Sequence, residues 1–236
     1  MRLYHDVDLI LIAAAVLPAV VLLLRVYRAD RLEPEPLWLL GSLVLRGIVA
    51  TALAMVGERL GAAVLGLLLR EGTLAYNALL YFGVVALSEE GAKYLLLYRR
   101  TWNSPHFNCQ FDGVVYAVFV SLGFALWENI GYVALYGFGT AVLRAVTAVP
   151  GHACFGVFMG MWYGLARRYA GRGEMERSRT CRRRALLLSV LLHGAYDFIA
   201  TLPLRSSGWL FAAFVVVMFL SALRTVRTGA QRDRYI

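Results

Sequence analysis

Apolar residues run through this chain in long stretches, separated by short segments that carry most of the charges, prolines and glycines. The stretches fall near residues 9–24, 37–56, 74–98, 111–135, 141–166, 185–202 and 209–223. About 20 apolar residues suffice for a helix to cross roughly 30 Å of hydrocarbon. The pattern predicts an all-α fold, a polytopic transmembrane bundle of about seven helices. The stretch within 57–73 is too short to cross and reads as an interfacial or extracytoplasmic helix; if it crossed, the count would be eight.

Composition agrees with that pattern. Of 236 residues, 60% are hydrophobic and only 17% charged, and the mean hydropathy is +0.62, far from the mix of a soluble domain. A single membrane domain over 1–236 is expected. Residues Met1 to Asp8 lack the basic start of a cleavable signal peptide, so the first apolar run reads as a retained anchor helix. Cys109, Cys154 and Cys181 are widely spaced without a CxxC pattern, so they are expected as free thiols.

The net charge of +9 would suggest nucleic acid in a soluble protein. Here the basic residues instead alternate between loops. Arg25, Arg28, Arg31, Arg99, Arg100, the cluster from Arg167 to Arg184, and Arg224, Arg227, Arg232 and Arg234 fall on one side. Arg2, Arg59, Arg70 and Arg205 fall on the other, with Arg144 near an edge. Lys and Arg are retained on the cytoplasmic side, which sets the N-terminus outside and the C-terminus in the cytoplasm. The basic loop 167–184 therefore reads as a topology signal, with the lipid bilayer as its partner and no nucleic acid.

Ionisable residues inside the apolar runs change the picture most. A charge at the bilayer centre costs roughly 2.5 to 3.5 kcal/mol, so each must face protein or a wet cavity. The third run holds Glu89, Glu90 and Lys93, the fourth Glu128, the fifth His152, and the sixth His193 and Asp197. Residues four apart share a helix face, which pairs Glu89 with Lys93 and His193 with Asp197 and sets Phe124 one turn before Glu128. Asn129 beside Glu128 is a candidate supporting residue, as are Lys93, Phe124 and Asp197. Gly156, Gly160 and Gly164 form a small-residue stripe that would admit a neighbouring backbone. Arg46, alone in the second run, reads as structural or as a counter-charge to the acids.

Such a set, if it converges on one polar cavity, suits amide hydrolysis. A carboxylate would activate a water held between Glu89 and Glu128, while His152 and His193 donate to the oxyanion. Ser88 lies beside the acids without a nucleophile motif. No cofactor is called for by this scheme; metal-assisted hydrolysis is the rival, because histidines and carboxylates are also zinc ligands, although HExxH is absent. A proton-coupled transporter or a non-catalytic scaffold would also use a buried polar core.

In order, the chain shows EExxK (Glu89, Glu90, Lys93), FxxxE (Phe124, Glu128), a histidine before a Gly-rich helix (His152) and HxxxD (His193, Asp197). This series resembles the PrsW family of glutamic-type intramembrane proteases over about residues 74–200. It is more distantly similar to the CAAX-prenyl endopeptidase and bacteriocin-immunity membrane proteins, which have a histidine where this chain has Glu128. The resemblance implies a catalytic core at 74–200, with Glu89, Glu90 and His152 as leading catalytic positions, then Glu128 and His193. It also implies a bacterial cytoplasmic-membrane location and a membrane-anchored protein substrate, an anti-sigma factor in the best-known members. Helix rise poses one problem: counted from its cytoplasmic end, Glu128 lies about 24 Å deep, against about 12 to 14 Å for Glu89 and His193. Tyr116 and Trp162/Tyr163, taken as interface anchors, bring Glu128 and His152 to about 18 and 15 Å.

Overall fold

The computed structural model of the chain describes residues 2–203 and 207–236, with side chains from residue 11 onward. Met1 and Arg205 lie outside the described residues, as does the side chain of Arg2. The helices are α1 (Arg2–Ala29), α2 (Leu37–Leu68), α3 (Leu74–Ala78), a π-helical stretch (Leu79–Val85), α4 (Ala86–Thr101), α5 (Asp112–Tyr136), α6 (Phe138–Val146), α7 (Ala148–Gly171), α8 (Met175–Ala200) and α9 (Ser207–Gln231). With α3, the π stretch and α4 joined end to end and α6 leading into α7, this is a membrane bundle of seven passes.

Five helical segments are long and apolar enough to cross a membrane by length and composition: Leu11–Ala29, Leu37–Leu68, Asp112–Tyr136, Phe138–Gly171 and Ser207–Gln231. The α4 and α8 segments fall outside that set: α4 by itself has 16 residues, and both carry charged side chains. Interior helices can do so, since their charges face protein rather than lipid.

α5 is the axis of the bundle. Every residue from Asp112 to Ala125 is buried, and its closest partners are α7 and α2. Glycine permits both contacts. A Cβ on Gly123 would meet the backbone of Val44, and one on Gly47 would meet the carbonyl of Val120. On the other flank, Gly156, Gly160 and Gly164 of α7 lie against Ala117 to Ser121, Gly113 to Val114 and Gln110, so the stripe admits the neighbouring backbone as expected. At the periphery, α1 and α9 present Leu17, Leu24, Val216, Val217 and Leu220 outward, a surface suited to acyl chains.

Three expectations need correction. Residues 57–68 are no separate interfacial helix but continue α2, because Gly57 and Gly61 let it pack over Ser88 and Val84. The fifth run is broken at Thr147 into α6 and α7; Pro150, in the first turn of α7, has no N–H to offer a preceding turn. The basic segment 167–184 is almost wholly helical, since α7 runs to Gly171 and α8 starts at Met175. Several of its arginines pack on aromatic faces, Arg182 on Trp102 at 5.0 Å, Arg184 on Trp162 at 5.0 Å and Arg167 on Phe107 at 5.8 Å. All three cysteines are free and buried.

Candidate active site

A layer of aromatic side chains sets a common depth for three helices. Tyr163 of α7 bonds Thr101 of α4 at 2.8 Å, and the Phe107 ring packs against those of both Tyr163 and Tyr116 of α5, with centroids 5.2 and 5.3 Å apart. Counted from that layer, Glu89 lies about 18 Å away along α4, Glu128 about 18 Å along α5 and His152 about 17 Å along α7. The depth mismatch comes from counting from Asp112, which is itself buried below the aromatic layer.

At that level the side chains meet through Lys93. Its Nζ lies 2.7 Å from Glu90 Oε1, 3.2 Å from Glu89 Oε2 and 3.1 Å from His152 Nδ1, and 3.9 Å above the Phe124 ring. An ammonium can only donate, so Nδ1 of His152 accepts and the proton of that ring sits on Nε2. The Nε2–H then donates to Glu128 Oε2 at 2.9 Å. Glu128 is also paired with Arg144 Nη2 at 2.9 Å.

His193 completes the network from α8. Its Nδ1 lies 3.0 Å from Glu90 Oε1 and its Nε2 3.4 Å from Asp197 Oδ2. The pairing one turn along α8 matches the spacing. The His193 ring stacks on Phe155 with centroids 4.7 Å apart, and lies 5.3 Å from the His152 ring, nearly perpendicular to it. Asn129 acts one step out: it donates to Ala15 O at 2.8 Å and accepts from Arg144 Nε at 3.0 Å, which aims Arg144 at Glu128. Phe124 lies under Lys93 and 5.5 Å from His152, more than a shoulder for Glu128 alone.

Two cavities adjoin this network. One of about 280 Å³ is lined by Glu58, Tyr81, Glu89, Glu128, Arg144, His152, His193 and Asp197 among others. The second, about 360 Å³, shares Glu58, Glu89, Glu128 and Tyr132 with it and continues between α2 and α5 past Met55, Trp127 and Leu135. Those last three side chains are exposed, so the mouth faces lipid. The π-helical stretch, a wider turn than α and frequent near functional sites, precedes Glu89 and packs Phe82 against Gly194. It contributes Tyr81 and Val85 to the wall.

Glu58 and Arg144 are the residues that sequence reading left out of this site. Glu58 lay in a segment assigned to the interface, and Arg144 was counted only for topology. The shared signal was a charge within one turn of an apolar run. Arg46 has Arg100 as its charged neighbour rather than the acids of the network.

Glu89, Glu90, His152 and His193 each offer one donor atom within 4.8 Å of the others, a set that by type would suit zinc. Lys93 already bonds three of these four groups. A divalent ion would compete with the ammonium for the same lone pairs and stand against a like charge, so the residues do not fit a metal while Lys93 keeps its place.

Membrane-crossing helices that enclose carboxylates, imidazoles and a lysine around a cavity open to lipid are the arrangement an intramembrane hydrolase requires. The chain belongs to the PrsW family: the profile described as "PrsW family intramembrane metalloprotease" matches residues 35–223. It is 35% identical to Protease PrsW of Geobacillus kaustophilus (strain HTA426) over 92% of this chain and 91% of that one. With Protease PrsW of Halalkalibacterium halodurans it shares 34% identity over 95% and 99% of the two chains, and with that of Bacillus subtilis (strain 168) 30% over 89% and 90%. No solved structure matches. The chain is thus a membrane-embedded protease of the bacterial membrane, acting on membrane protein, and not the transporter or scaffold weighed above. The match also exceeds the 74–200 core, taking in α2 with Glu58 and most of α9.

Proposed function

We propose that the chain cleaves a peptide bond of a membrane-anchored protein with Glu89 as the base that activates water. The observation that carries this is the position of Glu89. It lines both cavities, and its bond to Lys93, at 3.2 Å, is longer than that of Glu90, at 2.7 Å. Glu90 is wholly buried between Lys93 and His193, which suits holding the network together. A substrate segment entering between α2 and α5 would bring its carbonyl over Glu89 and Glu128, with the attacking water between the two carboxylates.

Glu89 takes the proton of that water as its oxygen attacks the carbonyl, and the proton then passes to the leaving amine. His152 and His193 are the proposed oxyanion donors. In the resting network each N–H is aimed at a carboxylate, so a donor must be released when the substrate arrives. For His152 the released partner is Glu128, which Arg144 continues to hold. The basic residues near Asp112 and in the C-terminal tail support a cytoplasmic first half of α5, which would set the N-terminus outside and the cavity in the outer half of the bilayer. An anti-sigma factor is the substrate class that the family resemblance implies.

Purified protein in detergent, given a single-pass membrane substrate, should release a shortened product, and both Glu89→Gln and His152→Ala should stop the release. Cleavage undiminished in both variants would refute the assignment. The second reading, a metal at the same four donors, rests on their 4.8 Å grouping; it requires that activity vanish with a chelator and return with zinc.

A further inference from the structure

At the opposite end of α5 from the active site lies a second group of acids. Asp30 and Glu35 come from the α1–α2 connection, Asp112 from the first turn of α5 and Asp233 from the tail after α9. One donor atom each of Cys109, Asp112 and Asp233 lies within 4.8 Å of the others. Asp30 is only 5% exposed and Asp112 not at all.

These acids have almost no partners of opposite charge. In a chain of net charge +9, no ion pair joins Asp30, Glu35, Asp112 or Asp233 to a basic side chain among the described residues. Both oxygens of Asp30, Oδ1 of Asp112, Oδ2 of Asp233 and Oε2 of Glu35 are buried with no hydrogen-bond partner. Their sister oxygens are well used. Asp112 Oδ2 accepts from the N–H groups of Asn108 and Cys109 at 3.1 and 2.7 Å. Asp233 Oδ1 accepts from Phe111 N–H at 2.8 Å, and Glu35 Oε1 from the Tyr116 hydroxyl at 2.6 Å. Each of these three carboxylates is thus anchored through one oxygen and has the other uncommitted.

Buried like charges without counter-charge are costly, whereas a hard divalent cation is bound by several carboxylate oxygens at once. We propose that Asp112 and Asp233, assisted by Asp30, hold a divalent cation that prefers oxygen ligands, of the magnesium, manganese or calcium class, on the side of the bundle away from the protease site. The cation site is separate from the catalytic network, since Glu128 lies about 24 Å further along α5 than Asp112. Its role is to clamp the tail: Gln110 N–H bonds Arg234 O at 3.2 Å and Ile236 N–H bonds Asn108 O at 2.7 Å, so the tail already pairs with the loop before α5. A cation adds the link to the α1–α2 connection.

Mn2+ is the probe, added to full-length protein in detergent after chelator treatment. A Glu89→Gln/His152→Ala background removes donors at the protease site, so that binding reports on the tail cluster. In that background, Asp112→Asn and Asp233→Asn should each weaken Mn2+ binding about tenfold or more, and Mn2+ should raise the melting temperature of the parent but not of Asp233→Asn. Asparagine retains an oxygen for the backbone N–H bonds, and Asp30→Asn on a different segment serves if Asp112→Asn does not fold. Absence of Mn2+ binding, or binding undiminished in all three variants, would overturn the proposal.

Discussion

His152 Nε2 on α7 and Glu128 Oε2 on α5 lie 2.9 Å apart, and the Lys93 ammonium on the far side of the ring, 3.1 Å from Nδ1, leaves that ring a single tautomer. The imidazole is therefore aimed by two charged groups from two other helices. Glu128→Gln keeps the shape but replaces the charged acceptor with an amide oxygen, and it leaves Arg144 without its carboxylate. We expect proteolysis to fall about 10²-fold or more with the fold retained, read as the rate of product release alongside a thermal melt.

The adjacent acids should separate in their effects. Glu89→Gln is expected to abolish cleavage while shifting the melting temperature little, because Glu89 has one long bond and a face to the cavity. Glu90→Gln breaks a buried pair with Lys93 and weakens the acceptor of His193, so it should cost stability on the order of 3 kcal/mol as well as activity. Unfolding of the two variants in the same detergent measures the difference.

Lys93 decides between glutamate and metal chemistry. With the lysine present, activity should persist after treatment with a zinc chelator. Lys93→Ala removes the competing ammonium, so this variant should acquire zinc in elemental analysis when the parent does not, while losing most of its activity.

Packing at the α2–α5 crossing gives a prediction independent of chemistry. A valine at position 123 would place its side chain into the Val44 backbone. Gly123→Val should lower stability by about 1 to 3 kcal/mol and reduce cleavage in parallel; Gly41→Ala, which meets open space on α2, should leave cleavage unchanged and leave stability unchanged or raised by up to about 1 kcal/mol.

What could be read before the structure was whatever depends on local periodicity. The pairs Glu89 with Lys93 and His193 with Asp197 follow from helical spacing, and the membrane passes follow from apolar length. Glu58 was not legible, because its place depends on α2 continuing past Gly57 across α4, a matter of tertiary packing. Arg144 was counted near an edge for topology alone, and its pairing with Glu128 depends on how α6 packs beside α5. The π-helical register before Glu89 leaves no mark in hydrophobic pattern, and the meeting of Lys93 with His152 needs α4 and α7 packed together.

The unbroken burial of α5 from Asp112 to Ala125 makes the chamber a blind well. With its floor packed shut, a cleaved chain has no path through to the opposite face. A membrane-held fragment that entered between α2 and α5 leaves through the same gap, so that its departure clears the way for the next substrate.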